Sequence, residues 1–249
     1  MHKTVLRPKL RLTHILIILI ILVFIYEYYV SLRGTEALRQ FFNNYGFSLK
    51  AVLEGKYWTF ITSMFVHADV QHIVLNLIAL FFFGAVVEEA LGWKKFLLIF
   101  IVSGLVGDLA ILATSSLGLM SPNIPTVGAS AAIFGLLGTA MLVKPLEFVF
   151  YPYIIPVPLI LVAFLYAIFN ITALIYVITT GTETEISFVS HIGGLLAGML
   201  FGFKEEGRKK SILVIAFLII LLLLTPFIII LFKYLELANY VNIIFSVFK

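Results

Sequence analysis

The sequence predicts an all-α protein whose transmembrane helices form a polytopic bundle. Of its 249 residues, 62% are hydrophobic and 12% are charged, and the mean hydropathy is +1.12. An average soluble domain carries about 25% charged residues. The apolar runs are long and lack the two-residue alternation of a barrel strand, so helices must satisfy the backbone polar groups inside lipid. This composition excludes a soluble globular protein and a membrane barrel.

Seven apolar segments qualify as membrane spans, because a hydrocarbon core of about 30 Å requires about 20 apolar residues per helix. They are 13–32, 69–87, 93–113, 128–143, 157–179, 187–203 and 211–232. The fourth and sixth are short and rich in Gly and Ala, which favours helices packed among other helices. We therefore expect a six-helix core over residues 13–203, with these two spans at its centre, followed by a seventh C-terminal helix at 211–232.

The segments outside the spans are predicted from their charge and aromatic content. Residues 33–66 mix Lys and Arg with aromatic side chains, and we expect them to form an amphipathic external segment lying on the membrane. Residues 1–12 are predicted to be a basic cytoplasmic N-terminus and residues 204–210 a basic cytoplasmic linker. Residues 233–249 form a C-terminal tail whose apolar end is too short to cross.

The basic clusters also predict the orientation in the membrane. Lys and Arg concentrate before the first and the seventh span, which places both of those chain segments in the cytoplasm. We expect a multi-pass integral protein of the plasma membrane, with its N-terminus in the cytoplasm. The basic residues of 33–66 then lie on the outer side, an exception to the positive-inside rule unless that segment folds onto the membrane surface.

Charge and cysteine content narrow the partners. The net charge is +4, but its Lys and Arg lie between apolar spans rather than on one soluble face, so we expect no nucleic-acid partner. The chain contains no cysteine, which excludes disulfides and thiolate metal sites. The lipid bilayer is the partner that the composition predicts, and the oligomeric state is left open.

Polar residues gather at one end of three predicted spans. With the N-terminus inside, the second, fourth and sixth spans run from outside to inside, so their first turns share the outer third of the membrane. These turns carry His72 and Asn76, Ser130, and His191. An ionisable residue inside a membrane is a functional hypothesis by default. Because a serine hydroxyl needs an adjacent base to become a nucleophile, Ser130 with His191 indicates acyl-transfer chemistry.

Two further residues fit that chemistry as donors to a developing oxyanion. His72 and Asn76 are four positions apart, so their side chains project from the same face of a helix. Each residue also has a structural alternative. A membrane serine commonly bonds to its own helix backbone, and a lone His or Asn can simply hold helices together. The glycines of the fourth and sixth spans predict a close packing seam, which is what a contact between Ser130 and His191 requires.

Three motifs, in order, resemble the rhomboid family of intramembrane serine proteases. Residues 128–131, Gly-Ala-Ser-Ala, resemble the family's Gly-Ala-Ser-Gly nucleophile motif. Residues 191–198 resemble its His-x-Gly-Gly-x-x-x-Gly helix. His67, His72 and Asn76 are similar to the family's second-helix pattern. The three motifs lie within a resemblance that spans about three fifths of the chain, over residues 55–203.

The resemblance implies an intramembrane serine endopeptidase that hydrolyses peptide bonds in or near the transmembrane segments of protein substrates. Such an enzyme uses a Ser/His dyad and needs no cofactor or metal ion. The resemblance assigns roles to six residues: Ser130 is the nucleophile, His191 the general base, His72 and Asn76 the oxyanion donors, and His67 and Gly128 supporting residues.

Two departures from the family pattern leave alternatives open. Ala131 stands where the motif usually has a second glycine, and Asp108 is an acid inside the third span with no equivalent in these motifs. The first alternative is a rhomboid-like protein that binds or escorts membrane clients without cleaving them, and the retained Ser130 and His191 argue against it. The second is a transporter or channel, whose expected broken helices in two related halves are not visible in the sequence.

Overall fold

The computed structural model describes residues 11–149, 156–180 and 187–234, and this part of the chain consists of helices, the loops between them and one short hairpin. The predicted all-α membrane bundle is therefore confirmed. Most of the predicted N-terminus and C-terminal tail, and the loop 181–186, lie outside the described residues.

The described helices and strands, in chain order, have the following bounds: α1 Leu12–Ser31, α2 Thr35–Tyr45, α3 Leu49–Leu53, α4 Thr59–Thr62, α5 Val70–Ala79, a π-helical turn Leu80–Gly84, α6 Ala85–Leu91, α7 Trp93–Ser116, α8 Ser130–Val143, β1 Phe148–Val149, β2 Val157–Pro158, α9 Leu159–Thr180, α10 Phe188–Glu206 and α11 Arg208–Tyr234. The two strands pair antiparallel between α8 and α9.

Several of these helices are long and apolar enough to cross a membrane. Among the described residues they are Leu12–Ser31, Val70–Leu91, Trp93–Ser116 and Leu159–Val177, and α8 is a shorter apolar helix. The protein is thus an integral, multi-pass membrane protein. A helix occupies each of the seven predicted spans. The division of the chain into the core, linker and tail remains a prediction.

The second span was predicted at 69–87 and extends to Leu91 in the structure, where three consecutive helical pieces form it. α5 passes through the π-helical turn directly into α6, which continues to Leu91. Gly92 ends it with φ +81, a left-handed conformation that favours glycine. At this end Glu88 accepts hydrogen bonds from the N–H groups of Leu12 and Thr13, at 2.7 and 2.8 Å. The carboxylate of α6 therefore satisfies the first free N–H groups of α1.

The segment predicted to be amphipathic folds into the three short helices α2, α3 and α4. Its pieces are joined by side-chain bonds to backbone carbonyls, Trp58 Nε1 to Asn44 O at 2.8 Å and Thr62 Oγ1 to Tyr45 O at 2.7 Å. Phe47 exchanges two backbone hydrogen bonds with Thr126, at 2.8 and 2.7 Å. The segment is thereby fixed to the loop that leads into α8.

The centre of the bundle is formed by α7, α8 and α10, and α8 is buried from Ala131 to Val143. Glycines make this packing close: a side chain at Gly198 would collide with the backbone of Gly135, and one at Gly194 with the backbone of Ala131. We call this contact between α8 and α10 the glycine seam. It brings the first turn of α8 against the first turn of α10.

Candidate active site

Ser130 is the first residue of α8, and the glycine two positions before it shapes the approach. Gly128 has φ +117, and its N–H donates to the carbonyl of Ser63 at 2.8 Å. A Cβ added to Gly128 would lie 2.6 Å from Nε2 of His72. Both the backbone conformation and the available space therefore require glycine at this position.

His191 lies on the first turn of α10, directly across the glycine seam from Ser130. Its Nε2 is 2.7 Å from Ser130 Oγ, a normal hydrogen-bond distance. The imidazole is stacked on the ring of Phe134, with ring centroids 4.4 Å apart and an interplanar angle of 10°. Phe188 forms an edge-to-face pair with the same imidazole, with ring centroids 6.3 Å apart. The histidine is therefore held in one orientation, within reach of the serine hydroxyl.

Asn170 is a site neighbour that the sequence analysis missed. Its Oδ1 is 2.7 Å from Nδ1 of His191, and its Nδ2 donates to the carbonyl of Tyr166 at 2.8 Å. The side chain belongs to α9 and is 2% exposed. The available signal was an amide in the middle of the apolar helix α9, because such a group needs a polar partner inside a membrane.

His72 and Asn76 both lie on α5 and reach the same stretch of backbone before Ser130. Nδ2 of Asn76 would be 3.7 Å from a Cβ at Gly128, compared with 2.6 Å for Nε2 of His72. Asn76 is 6% exposed, and its Nδ2 donates to the carbonyl of His72 at 3.0 Å. The structure thus brings together the four polar residues that the helix directions predicted to meet.

His67 supports this group from the loop before α5. Its ring lies 5.1 Å from that of His72, edge to face, and its backbone N–H donates to the buried carboxylate of Glu27, at 3.2 and 3.3 Å from the two oxygens. Burial, followed by the neighbouring His72, lowers the pKa of His67 to about 3. The His67 side chain is therefore neutral at physiological pH, and its backbone connects the loop to α1.

A small cavity adjoins Ser130 on the side of α7. Its lining includes Ser63, Asp108, Ser130, Ala131 and Ser190. Asp108 is 6% exposed, so the acid noted in the sequence faces this cavity rather than lipid. Among the residues that the structure describes, no group of three or more His, Cys, Asp or Glu side chains has the arrangement of a metal site.

The unusual Ala131 has a structural counterpart on α7. A Cβ added to Gly107 would lie 2.6 Å from the Cβ of Ala131. The extra methyl group therefore occupies the space that the missing side chain of Gly107 leaves. The substitution does not force α7 and α8 apart.

The fold and the site define a class of protein: a multi-pass helical membrane protein that holds a serine and a histidine in hydrogen-bond contact at one end of the bundle. The family model for the Rhomboid domain matches residues 54–208. The chain belongs to the rhomboid family, a family of intramembrane proteases.

Comparison with individual relatives agrees with this family. RHOMBOID-like protein 12, mitochondrial, of Arabidopsis thaliana is 34% identical over 181 residues, covering 68% of this chain and 52% of that protein. Rhomboid protease GluP of Bacillus subtilis is 34% identical over 92 residues, covering 37% of this chain and 17% of that protein. Inactive RHOMBOID-like protein 8 of Arabidopsis thaliana is 33% identical over 97 residues, covering 39% of this chain and 26% of that protein. Each match covers about half or less of the relative, and the three names include both a protease and an inactive protein.

Proposed function

We propose that this chain is an intramembrane serine endopeptidase that cleaves peptide bonds in or near the transmembrane segments of other membrane proteins. The observation that carries the proposal is the 2.7 Å contact between Ser130 Oγ and His191 Nε2. A serine is weakly nucleophilic until an adjacent base accepts its proton, and this contact supplies such a base.

In the proposed reaction, His191 Nε2 takes the proton of Ser130 as Oγ attacks the scissile carbonyl carbon. The carbonyl oxygen becomes an oxyanion, and the protonated His191 then gives its proton to the leaving amine, which leaves an acyl-enzyme on Ser130. Water, activated by the same histidine, hydrolyses the ester and regenerates Ser130. The dyad acts twice, once in each half of the reaction.

The oxyanion would be stabilised by donors on both sides of Ser130. His72 and Asn76 supply side-chain donors from α5. The first N–H groups of a helix have no partner within it, so the N–H of Ser130 is a further donor at the positive end of the α8 dipole. Preorganised donors of this kind typically contribute a factor of about 10²–10³ each. Gly128 and His67 would support the site by keeping this space open.

The proposal is tested with purified protein and a panel of single-span reporter proteins in lipid vesicles. We expect the wild type to cleave at least one reporter and Ser130→Ala to cleave none at equal folded yield. Cleavage of the same reporter by Ser130→Ala at the wild-type rate would exclude this serine as the nucleophile. A wild type that cleaves no reporter and resists a fluorophosphonate would instead support the alternative, a non-cleaving protein that binds or escorts membrane clients.

We further propose that the site faces the outside of the plasma membrane, with the N-terminus in the cytoplasm. Cysteine labelling tests this orientation, because the chain has no native cysteine. Ser121 and Leu146 are exposed positions at opposite ends of α8. On intact cells, an impermeant thiol reagent should label Ser121→Cys and spare Leu146→Cys, and both should react after permeabilisation. The reverse pattern would contradict the orientation.

A further inference from the structure

A continuous chain of hydrogen bonds joins α9 to the serine through the histidine. It runs from the carbonyl of Tyr166 to Nδ2 of Asn170 at 2.8 Å, and from Oδ1 of Asn170 to Nδ1 of His191 at 2.7 Å. It then runs from Nε2 of His191 to Ser130 Oγ at 2.7 Å. Asn170 is thus the residue on the far side of the imidazole from the nucleophile.

The chemistry of these groups determines where the imidazole proton lies. The Tyr166 carbonyl is an acceptor only, so the Asn170 atom facing it is the NH₂ group, and the atom facing His191 is the amide oxygen. That oxygen accepts from Nδ1–H. A neutral imidazole carries one N–H, so Nε2 has a free lone pair for the hydroxyl proton of Ser130. This is the tautomer that a general base acting through Nε2 requires.

An uncharged orienting group suits this environment. Asn170 is 2% exposed, and Phe134 and Phe188 cover the imidazole. An ionised carboxylate at that position would be expensive to bury without a paired charge. An amide oxygen fixes the tautomer and ring orientation without adding a buried charge.

We propose that Asn170 is a positioning residue that holds His191 as the Nδ1–H tautomer, so that Ser130, His191 and Asn170 form a hydrogen-bonded triad. This inference rests on the proposed function, because it assigns Asn170 a part in the same reaction. Asn170 acts through His191 and does not itself touch the substrate.

Two substitutions separate this role from a purely structural one. Asn170→Leu keeps the number and branching of the side-chain heavy atoms and removes both hydrogen bonds. Asn170→Asp keeps an acceptor for His191 Nδ1 and loses the donor to Tyr166. Thr179→Val is the matched control, since Thr179 on the same helix also bonds to a carbonyl four residues earlier, Ile175 O at 2.8 Å, but faces away from the site.

We expect Asn170→Leu to lower kcat by about 100- to 1,000-fold with little change in KM, within the range that general-base catalysis contributes. The rate of Ser130 modification by a fluorophosphonate should fall in parallel. Asn170→Asp should recover part of both rates, and Thr179→Val should match the wild type. Equal rates for Asn170→Leu and the wild type would overturn the proposal; Asn170→Asp is compared at equal folded yield, because a carboxylate at this position carries a burial cost of its own.

The ¹⁵N spectrum of His191 tests the tautomer without relying on activity. With the His191 signals identified by their loss in His191→Ala, the wild type should show a protonated Nδ1 and an unprotonated Nε2. Asn170→Leu should show a mixture of tautomers. A wild-type His191 protonated at Nε2 would overturn the proposal even if the enzyme is active, and the same measurement stands if Asn170→Leu does not fold. A wild type with the expected tautomer but no cleavage would instead count against the proposed function alone.

Discussion

Ser130→Ala and His191→Ala are each expected to abolish reporter cleavage, and the double variant is expected to be no worse than either. The reason is that nucleophile and base act as one unit, so that neither residue contributes to catalysis when the other is missing. The two residues are coupled through the 2.7 Å contact between Ser130 Oγ and His191 Nε2. Cleavage rates of the three variants, measured at equal folded yield, form the double-mutant cycle.

The stability of these variants separates lost chemistry from lost structure. The dyad hydrogen bond contributes about 0.5–1.5 kcal/mol in net terms, and the glycine seam between α8 and α10 is untouched by Ser130→Ala. Thermal unfolding of Ser130→Ala in detergent should therefore stay close to that of the wild type, and His191→Ala, which also loses the stack on Phe134 and the bond to Asn170, is compared at equal folded yield. A fluorophosphonate should modify wild-type Ser130 and fail on His191→Ala, because the hydroxyl is no longer activated. Additive losses in the double variant, or full modification of His191→Ala, would contradict the dyad.

Asn76→Ala should reduce cleavage by about 10²–10³-fold, the usual effect of removing one oxyanion donor. The loss should fall on kcat, because this donor meets a charge that exists only as the reaction proceeds. Folding should be little affected, since the amide of Asn76 donates to the carbonyl of His72 on its own helix. Kinetics with the best reporter, together with the rate of fluorophosphonate modification, measure the change.

Gln71→Ala is the control for this prediction. Gln71 is an exposed amide one turn earlier on α5, and its removal should leave turnover unchanged. If Asn76→Ala matches that control at equal folded yield, Asn76 has no oxyanion role and its hydrogen bond to α5 is purely structural.

The helix directions in the sequence were sufficient to predict which polar residues meet. Spans that run the same way place their first turns at one depth, so Ser130, His191, His72 and Asn76 were expected together. The glycines of the fourth and sixth spans predicted that these spans pack closely, and Gly194 and Gly198 lie at that contact. The depth of the helix starts in the membrane and the spacing of the glycines were therefore enough to predict this part of the site.

The side of α9 that faces the site could not be predicted in the same way. α9 is apolar around most of its circumference, so its sequence does not indicate which side faces α10. The sequence shows Asn170 as an amide within an apolar span, but nothing in it indicates the contact with His191, and the residue was missed. The capping of α1 by Glu88 was missed for a related reason, because it depends on how far the second span extends beyond its apolar run.

The π-helical turn at Leu80–Gly84 determines where along the second span a change in the number of residues can be tolerated. A π-turn holds one residue more than an α-turn, and each residue advances an α-helix by about 100°. His72 precedes the turn and Glu88 follows it. A lineage that lost one residue here could close the segment as an ordinary α-turn and keep both His72 and Glu88 in place, whereas a loss elsewhere between them would rotate one relative to the other by about 100°. We therefore expect descendants of this chain to tolerate the loss of one residue at 80–84 and to reject single-residue deletions in the rest of the segment between His72 and Glu88.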